Sequence, residues 1–233
     1  MRESEKLQFI ADAVGYSNGI MRSSITHCHQ VISRHLVPGS ILELGPAEGV
    51  MTQLLIKDSD RVSIVEASSK FCELIKSQLP AVDVINCLFE EFHPESKFDN
   101  IILGHVLEHV VDPVELLVRV KQWLNPGGIV FGAVPNAHSL HRQAAVAMGL
   151  LEKENSLNIS DINHGHRRVF DPDAFRVIFL RAGLTIHQFG GYWLKPLANK
   201  QIEDHWTADM IKAFMDLGER YPQIAGEIYI VAI

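Results

Sequence analysis

Cysteine is scarce in this chain. Cys28, Cys72 and Cys87 are its three, far apart, odd in number and without a Cys-x-x-Cys. That pattern excludes a disulfide framework and argues against a cysteine zinc site. Long apolar runs are missing as well. No stretch approaches the roughly 20 residues needed to cross a bilayer, and no apolar signal-peptide core follows Met1-Arg2-Glu3-Ser4-Glu5-Lys6. There is no excess of positive charge: the formal net charge is −7. An acidic protein gains nothing from counterion release, which makes nucleic acid a poor partner. Repeats, low-complexity tracts and linkers are absent too. The expectation is a reduced, cytoplasmic protein with neither membrane nor nucleic acid as partner.

What is present suits a globular α/β chain. Of 233 residues, 47% are hydrophobic and 21% charged, enough to build a sizeable core. Short β-branched runs recur at 41–44, 62–65, 82–85, 100–103, 128–134 and 228–231. Apolar on both faces, they predict a parallel sheet covered on both sides. Helix starts lie between them. Asp112-Pro113 and Asp171-Pro172 each place a capping acid before a proline at the first helical position. Phe175, Ile178, Phe179 and Ala182 form a helical stripe stopped by Gly183. A helix is expected over 21–37, another over 137–150, and a further helical face from Trp206, Met210, Phe214 and Leu217. Regular βα alternation predicts a doubly wound sheet whose ligands sit at the carboxyl ends of the strands. The expected layout is a helical cap (1–37), a cofactor-binding core (38–135), a lid or substrate insertion (136–170), and the rest of the sheet (171–233).

The first strand runs into Glu43-Leu44-Gly45-Pro46-Ala47-Glu48-Gly49 and then a helix. Gly45 permits a sharp turn and Gly49 a close approach. A pyrophosphate-binding loop needs glycine where Ala47 stands, and Glu48 adds a repelling charge. Glu66 ends the second strand, and a carboxylate there can accept both hydroxyls of a ribose. A nucleoside ligand without pyrophosphate satisfies both observations. An ordinary helix-capping acid in Glu66-Ala67-Ser68-Ser69 accounts for Glu66 equally well.

These residues carry a resemblance. Ile41-Leu42-Glu43-Leu44-Gly45 with Gly49, Phe98-Asp99-Asn100-Ile101-Ile102-Leu103 with Leu107-Glu108-His109-Val110-Val111-Asp112-Pro113, and Leu124-Asn125-Pro126-Gly127-Gly128 resemble the ordered motifs of class I S-adenosylmethionine-dependent methyltransferases. The subgroup they resemble contains the ubiquinone- and menaquinone-pathway enzymes and many natural-product and sugar methyltransferases. The resemblance spans about residues 40–135, more weakly 166–184. It implies a Rossmann-like, mostly parallel seven-stranded sheet, S-adenosylmethionine as cofactor and a small-molecule acceptor methylated on oxygen or nitrogen. It places Glu43, Gly45, Gly49, Glu66 and Ala67 against the cofactor, with Gly104 and His105 at the methyl-donor end. The acid that often follows the third strand is Leu88 here, so the adenine is expected to rest on backbone and on Phe89. Tyr16 and Arg22 are expected to close over the cofactor carboxylate.

The remaining chemistry is read from residue types. Histidine suits a proton acceptor, so His105 is the first candidate base and His166, from the insertion, the second. His164, Arg167 and Arg168 form a dense basic cluster suited to an acidic group on the acceptor. The rival is that these arginines pair with nearby acids and hold the insertion. His105-Val106-Leu107-Glu108-His109 also fits a zinc-hydrolase pattern, but a strand end is the wrong context for the zinc helix, and no metal is expected. The other alternative is a non-catalytic protein that binds S-adenosylmethionine for regulation.

Overall fold

A computed structural model of the protein describes residue 15 and residues 17–233; Tyr16 lies outside the described residues. The chain enters through α1 (Ile20–Ile32), then β1 (Ile41–Leu44), α2 (Val50–Leu55), β2 (Val62–Glu66), α3 (Ser69–Gln78) and β3 (Asp83–Asn86). A single turn of 3-10 helix (Phe89–Glu91) leads to β4 (Phe98–Gly104), α4 (Pro113–Trp123) and β5 (Leu124–Pro135). Then come α5 (Leu140–Ala147), α6 (Ile159–Asn163), α7 (Pro172–Arg181), β6 (Ile186–Tyr192), α8 (Asn199–His205), α9 (Ala208–Gly218) and β7 (Glu227–Ala232).

The seven strands form one sheet in the order β3-β2-β1-β4-β5-β7-β6. Neighbours among β1–β5 are parallel, while β7 runs antiparallel to both β5 and β6. The order reverses at β1, flanked by β2 and β4, and a crevice opens at such a switch point. Strand alternation splits the core in two. Leu42, Leu44, Ile101 and Leu103 join Leu117, Val120, Phe175 and Phe179 of α4 and α7. Ile41, Ile64 and Ile102 join Ile32, Leu55 and Ile75 of α1, α2 and α3. Both faces are thus covered, as the apolar runs require.

The helix starts follow their caps. The Asp112 carboxylate accepts from the Val114 and Glu115 amides at 2.9 and 3.1 Å, and Asp171 does the same for Asp173 and Ala174 at 2.9 and 2.8 Å. Elsewhere tertiary structure moved or added elements. The first helix ends at Ile32, well short of residue 37, and the helix expected over 137–150 is only Leu140–Ala147. Trp206 does not belong to the last helix: it terminates α8, and Thr207 caps α9 by accepting from the Met210 amide. The stretch that becomes β6 mixes polar and glycine residues and carries no strand signal of its own. Pairing with β7 from Ile186 to Tyr192 makes it a strand.

Candidate active site

A cavity of about 630 Å³ opens at the carboxyl ends of β1, β2 and β4. One end has the chemistry of a nucleoside site. Gly45 adopts φ +64°, and a Cβ there would come within 3.2 Å of Val106 and 3.6 Å of Phe89, so only glycine leaves the cradle open. Glu66, 9% exposed, lines it beside Ala67, Leu88, Phe89 and Gly104. Its Oε1 accepts from the Ser68 amide at 2.7 Å and its Oε2 from the Ala47 amide at 3.4 Å. Glu66 therefore spans the loops after β1 and β2, combining a cap-like contact with a cavity-facing carboxylate. Glu43 also lines the cavity, where it accepts from the Thr52 hydroxyl at 2.6 Å.

Not every expected cofactor residue reaches the cavity. Gly49 caps α2 with φ +76°, and a Cβ there would meet Ile75 Cγ1 at 2.9 Å. It permits helix–helix approach and does not line the cavity. Arg22 is corrected as well: it is exposed and borders a separate surface hollow with Thr26, Gln53 and Lys57.

The other end of the cavity is charged. Directly after β4, His105 takes φ +59°, an uncommon conformation for a residue with a side chain. Its amide is fixed by donation to Ala133 at 2.9 Å. The turn brings His105 Nδ1 to 3.3 Å from Glu108 and Nε2 to 3.8 Å from Glu227. Burial lowers the imidazole, but Glu227 and Glu108 outweigh it and hold it at about 9. Its two carboxylate neighbours thus favour the imidazolium over the free base. Glu108 is raised by burial, but His105, His109 and His166 bring it down to about 2.

His166 lines the same end, its Nδ1 3.5 Å from Asp161 and its ring T-shaped against His109 with centroids 4.7 Å apart. His164 lines it too. Donor atoms of Glu108, His109 and His166 lie within 4.8 Å of one another, close enough to share a cation. This set joins two residues of the zinc-hydrolase pattern to a third far away, and it leaves out His105. Residues 105–111 form turns and not a helix, so the zinc-helix context is absent.

The arginines of the basic cluster behave as the rival reading has it, though their partners are carbonyls. Arg168 donates to the carbonyls of Leu107, Val110 and Val111 at 3.0, 2.6 and 2.9 Å, and Arg167 Nε donates to that of His109 at 2.7 Å. Neither lines the cavity. As a substrate clamp they are corrected: guanidiniums committed to the 107–111 turn set the position of Glu108 and His109 instead. Arg142 of α5 does comparable work in the segment between β5 and α7. It is buried, pairs with Asp161 at 3.1 Å, and donates to the carbonyls of Glu154, at 2.7 Å, and Ser156. Asp161 closes a capping box with Asn158 at the start of α6.

Several cavity residues escaped the sequence. Glu227 opens β7 and Lys195 follows β6, and both line the charged end. Their only sequence signal is a charge beside an apolar run, and nothing in it joins them to residues 90 and more positions earlier.

The family model described as a methyltransferase domain matches residues 20–188. The chain belongs to this family. It is an S-adenosylmethionine-dependent methyltransferase. Curated relatives include the ubiquinone biosynthesis O-methyltransferase of Paramagnetospirillum magneticum, 25% identical over 166 residues, which cover 69% of this chain and 65% of the relative. The enzyme of the same name from Rhizobium leguminosarum is 23% identical over 190 residues, covering 79% of this chain and 73% of that one. Among solved structures, an S-adenosylmethionine-dependent methyltransferase from Mesorhizobium loti shares the fold, with TM-score 0.64, 16% identity and coverage of 94% and 99%. The glycopeptide N-methyltransferase MtfA, solved with S-adenosylmethionine, superposes with TM-score 0.60 at 14% identity, covering 89% of this chain and 86% of the other. No helix among the described residues of this methyltransferase is long and apolar enough to cross a membrane.

Proposed function

We propose that this methyltransferase transfers a methyl group to an oxygen of a small-molecule acceptor held in the charged end of the cavity. One observation carries the reading: Glu227 is 5% exposed, and among the described residues its Oε2 has no hydrogen-bond partner although it lies at that end, 3.8 Å from His105. A buried carboxylate oxygen left without a donor awaits one from a ligand, and an acceptor hydroxyl supplies it. The relatives named O-methyltransferases support oxygen over nitrogen.

The cofactor fits the cradle at Gly45, with Glu66 for its ribose hydroxyls and Phe89 beside its adenine; when bound, it supplies an already activated methyl on a sulfonium. The chain's own work is then positional and protonic. Gly104 and His105 form the boundary between the two ends. Glu227 takes the hydroxyl proton, and burial, which raises its carboxyl, makes it a better acceptor near neutral pH. The imidazolium of His105 faces the oxygen that loses the proton. His164 and His166 complete the wall from the 136–170 segment.

The test is turnover with labelled methyl donor against a panel of hydroxylated metabolites. Glu227→Gln is expected to lower kcat by about 10²–10⁴, the scale of a lost proton acceptor, with S-adenosylhomocysteine affinity unchanged. Unchanged kcat, or methyl on nitrogen, rejects the assignment. The cluster of Glu108, His109 and His166 favours a second reading, in which a divalent cation held there also contacts the acceptor oxygen.

A further inference from the structure

Among the described residues, the charged end of the cavity contains a half-buried cation, Lys195, that meets no hydrogen-bond acceptor. Arg142 is engaged through all three of its guanidinium nitrogens by Asp161 and two carbonyls, and His105 sits between two carboxylates. Lys195 differs. It follows β6 by three residues, with its stem beside Gly226, where a Cβ would meet Lys195 Cβ at 3.1 Å. Its ammonium sits 4.6 Å from the centre of the Trp193 ring, and Trp193 is itself fully buried. The His141 amide donates to its carbonyl at 3.2 Å, so its backbone is fixed. Among the described residues, no hydrogen-bond acceptor and no carboxylate within 4.0 Å meets its Nζ. An ammonium has three donors, and withdrawing it from water with no acceptor is costly; Lys195 is half-buried, and burial lowers its ammonium to about 8, with Glu227 opposing that drop.

We propose that Lys195 anchors an anionic group on the methyl acceptor, so that the substrate class is a hydroxy acid. The hydroxyl donates to Glu227 Oε2 while the acid group accepts from Lys195 Nζ. Glu227 and Lys195 interact electrostatically across the cavity without touching, and a molecule carrying both functions bridges them. This replaces Arg167 and Arg168, whose guanidiniums are spent on the 107–111 turn. A merely structural lysine, its ammonium held by the Trp193 ring, would need no ligand, and its replacement by methionine would change stability and leave the preference among ligands as it was. The assignment rests on the methyl-transfer reading above, and the experiment separates the two.

Protein is first titrated with S-adenosylhomocysteine, and the loaded form then with 3-hydroxybenzoate, 3-hydroxyphenyl phosphate and the neutral 3-hydroxybenzyl alcohol, followed by ligand-observed NMR. The carboxylate probe is expected to bind at least tenfold more tightly than the alcohol. 3-Hydroxyphenyl phosphate, which keeps the hydroxyl, distinguishes a carboxylate site from a phosphate site by its rank against 3-hydroxybenzoate. In Lys195→Met the preference for anions disappears while S-adenosylhomocysteine affinity holds, and Lys195→Arg retains it. If Lys195→Met does not fold, Lys195→Gln, which also removes the charge, serves in its place. No binding of S-adenosylhomocysteine overturns the underlying reading and this one with it. Binding of S-adenosylhomocysteine with equal affinity for anion and alcohol, or an anion preference that survives Lys195→Met, overturns the role of Lys195 alone.

Discussion

Arg142 Nη1 lies 3.1 Å from Asp161 Oδ2, in a pair whose side chains are only 4% and 11% exposed. The pair ties α5 to α6 and so fixes the segment that carries His164 and His166 over the charged end of the cavity. Removing one partner of a buried pair leaves the other uncompensated, at a cost of about 3–5 kcal/mol. Arg142→Met is therefore expected to lower urea stability on that scale, and Arg142→Met with Asp161→Leu to recover part of the loss. A single variant within about 0.5 kcal/mol of the unaltered protein, the range of ordinary surface changes, would show that the pair holds nothing.

Glu66 gives a prediction about the cofactor. Its carboxylate lines the nucleoside end while resting on the Ser68 and Ala47 amides. Glu66→Ala is expected to weaken S-adenosylhomocysteine by about 1–3 kcal/mol in calorimetry, the scale of leaving polar partners unpaired. Binding of NADH in its place, or no change in affinity, goes against a ribose contact.

Arg168 should behave as a strut. It holds carbonyls of Leu107, Val110 and Val111, and hydrogen bonds to a charged group contribute about 1.5–3 kcal/mol. Arg168→Met should lower the melting temperature and reduce turnover through a displaced turn. A variant with unchanged melting temperature and a raised KM for an acidic acceptor would return Arg168 to the substrate.

Glu43 sets a pH dependence of stability. Burial raises its carboxyl from 4.5 to about 8, against the opposing hydrogen bond from Thr52. Between those values the folded protein holds a proton that the unfolded chain has released, so stability falls as pH rises through the window. Glu43→Gln keeps an acceptor for Thr52 and removes the titration. Measured without cofactor, its stability relative to the unaltered protein should rise from pH 5 to pH 8, by up to about 1.4 kcal/mol per unit. A constant difference across that range means that Glu43 does not titrate there.

Chelation separates the two readings of the Glu108, His109 and His166 cluster. Glu108 already faces the His105 imidazolium, and the proton route through Glu227 needs no cation. Turnover is expected to survive a chelator within about twofold. A loss restored by magnesium or zinc would put a cation in the cluster.

The sheet was legible because its strands announce themselves. Runs such as Ile41-Leu42-Glu43-Leu44 and Ile101-Ile102-Leu103 are buried on both faces, and burial on both faces is what a continuous apolar run encodes. Gly45, Glu66 and His105 were legible for a related reason: they fall within a few residues of a strand's end, where a doubly wound sheet places its ligands. β6 was not, because its strand character comes from pairing with β7.

Sequence by itself therefore determined the fold class, the loops after β1 and β2 that line one end of the cavity and the capped helices, all of which rest on local pattern and short range. Tertiary structure alone decided the charged end. It brought Glu227 to His105 across more than 100 residues, gathered His166 with Glu108 and His109, and set the Lys195 ammonium over the Trp193 ring, with no carboxylate against it among the described residues. It also turned Arg167 and Arg168 away from the cavity to hold backbone carbonyls. An arginine's charge is plain in a sequence, but what it neutralises depends on which groups the fold has stripped of water around it.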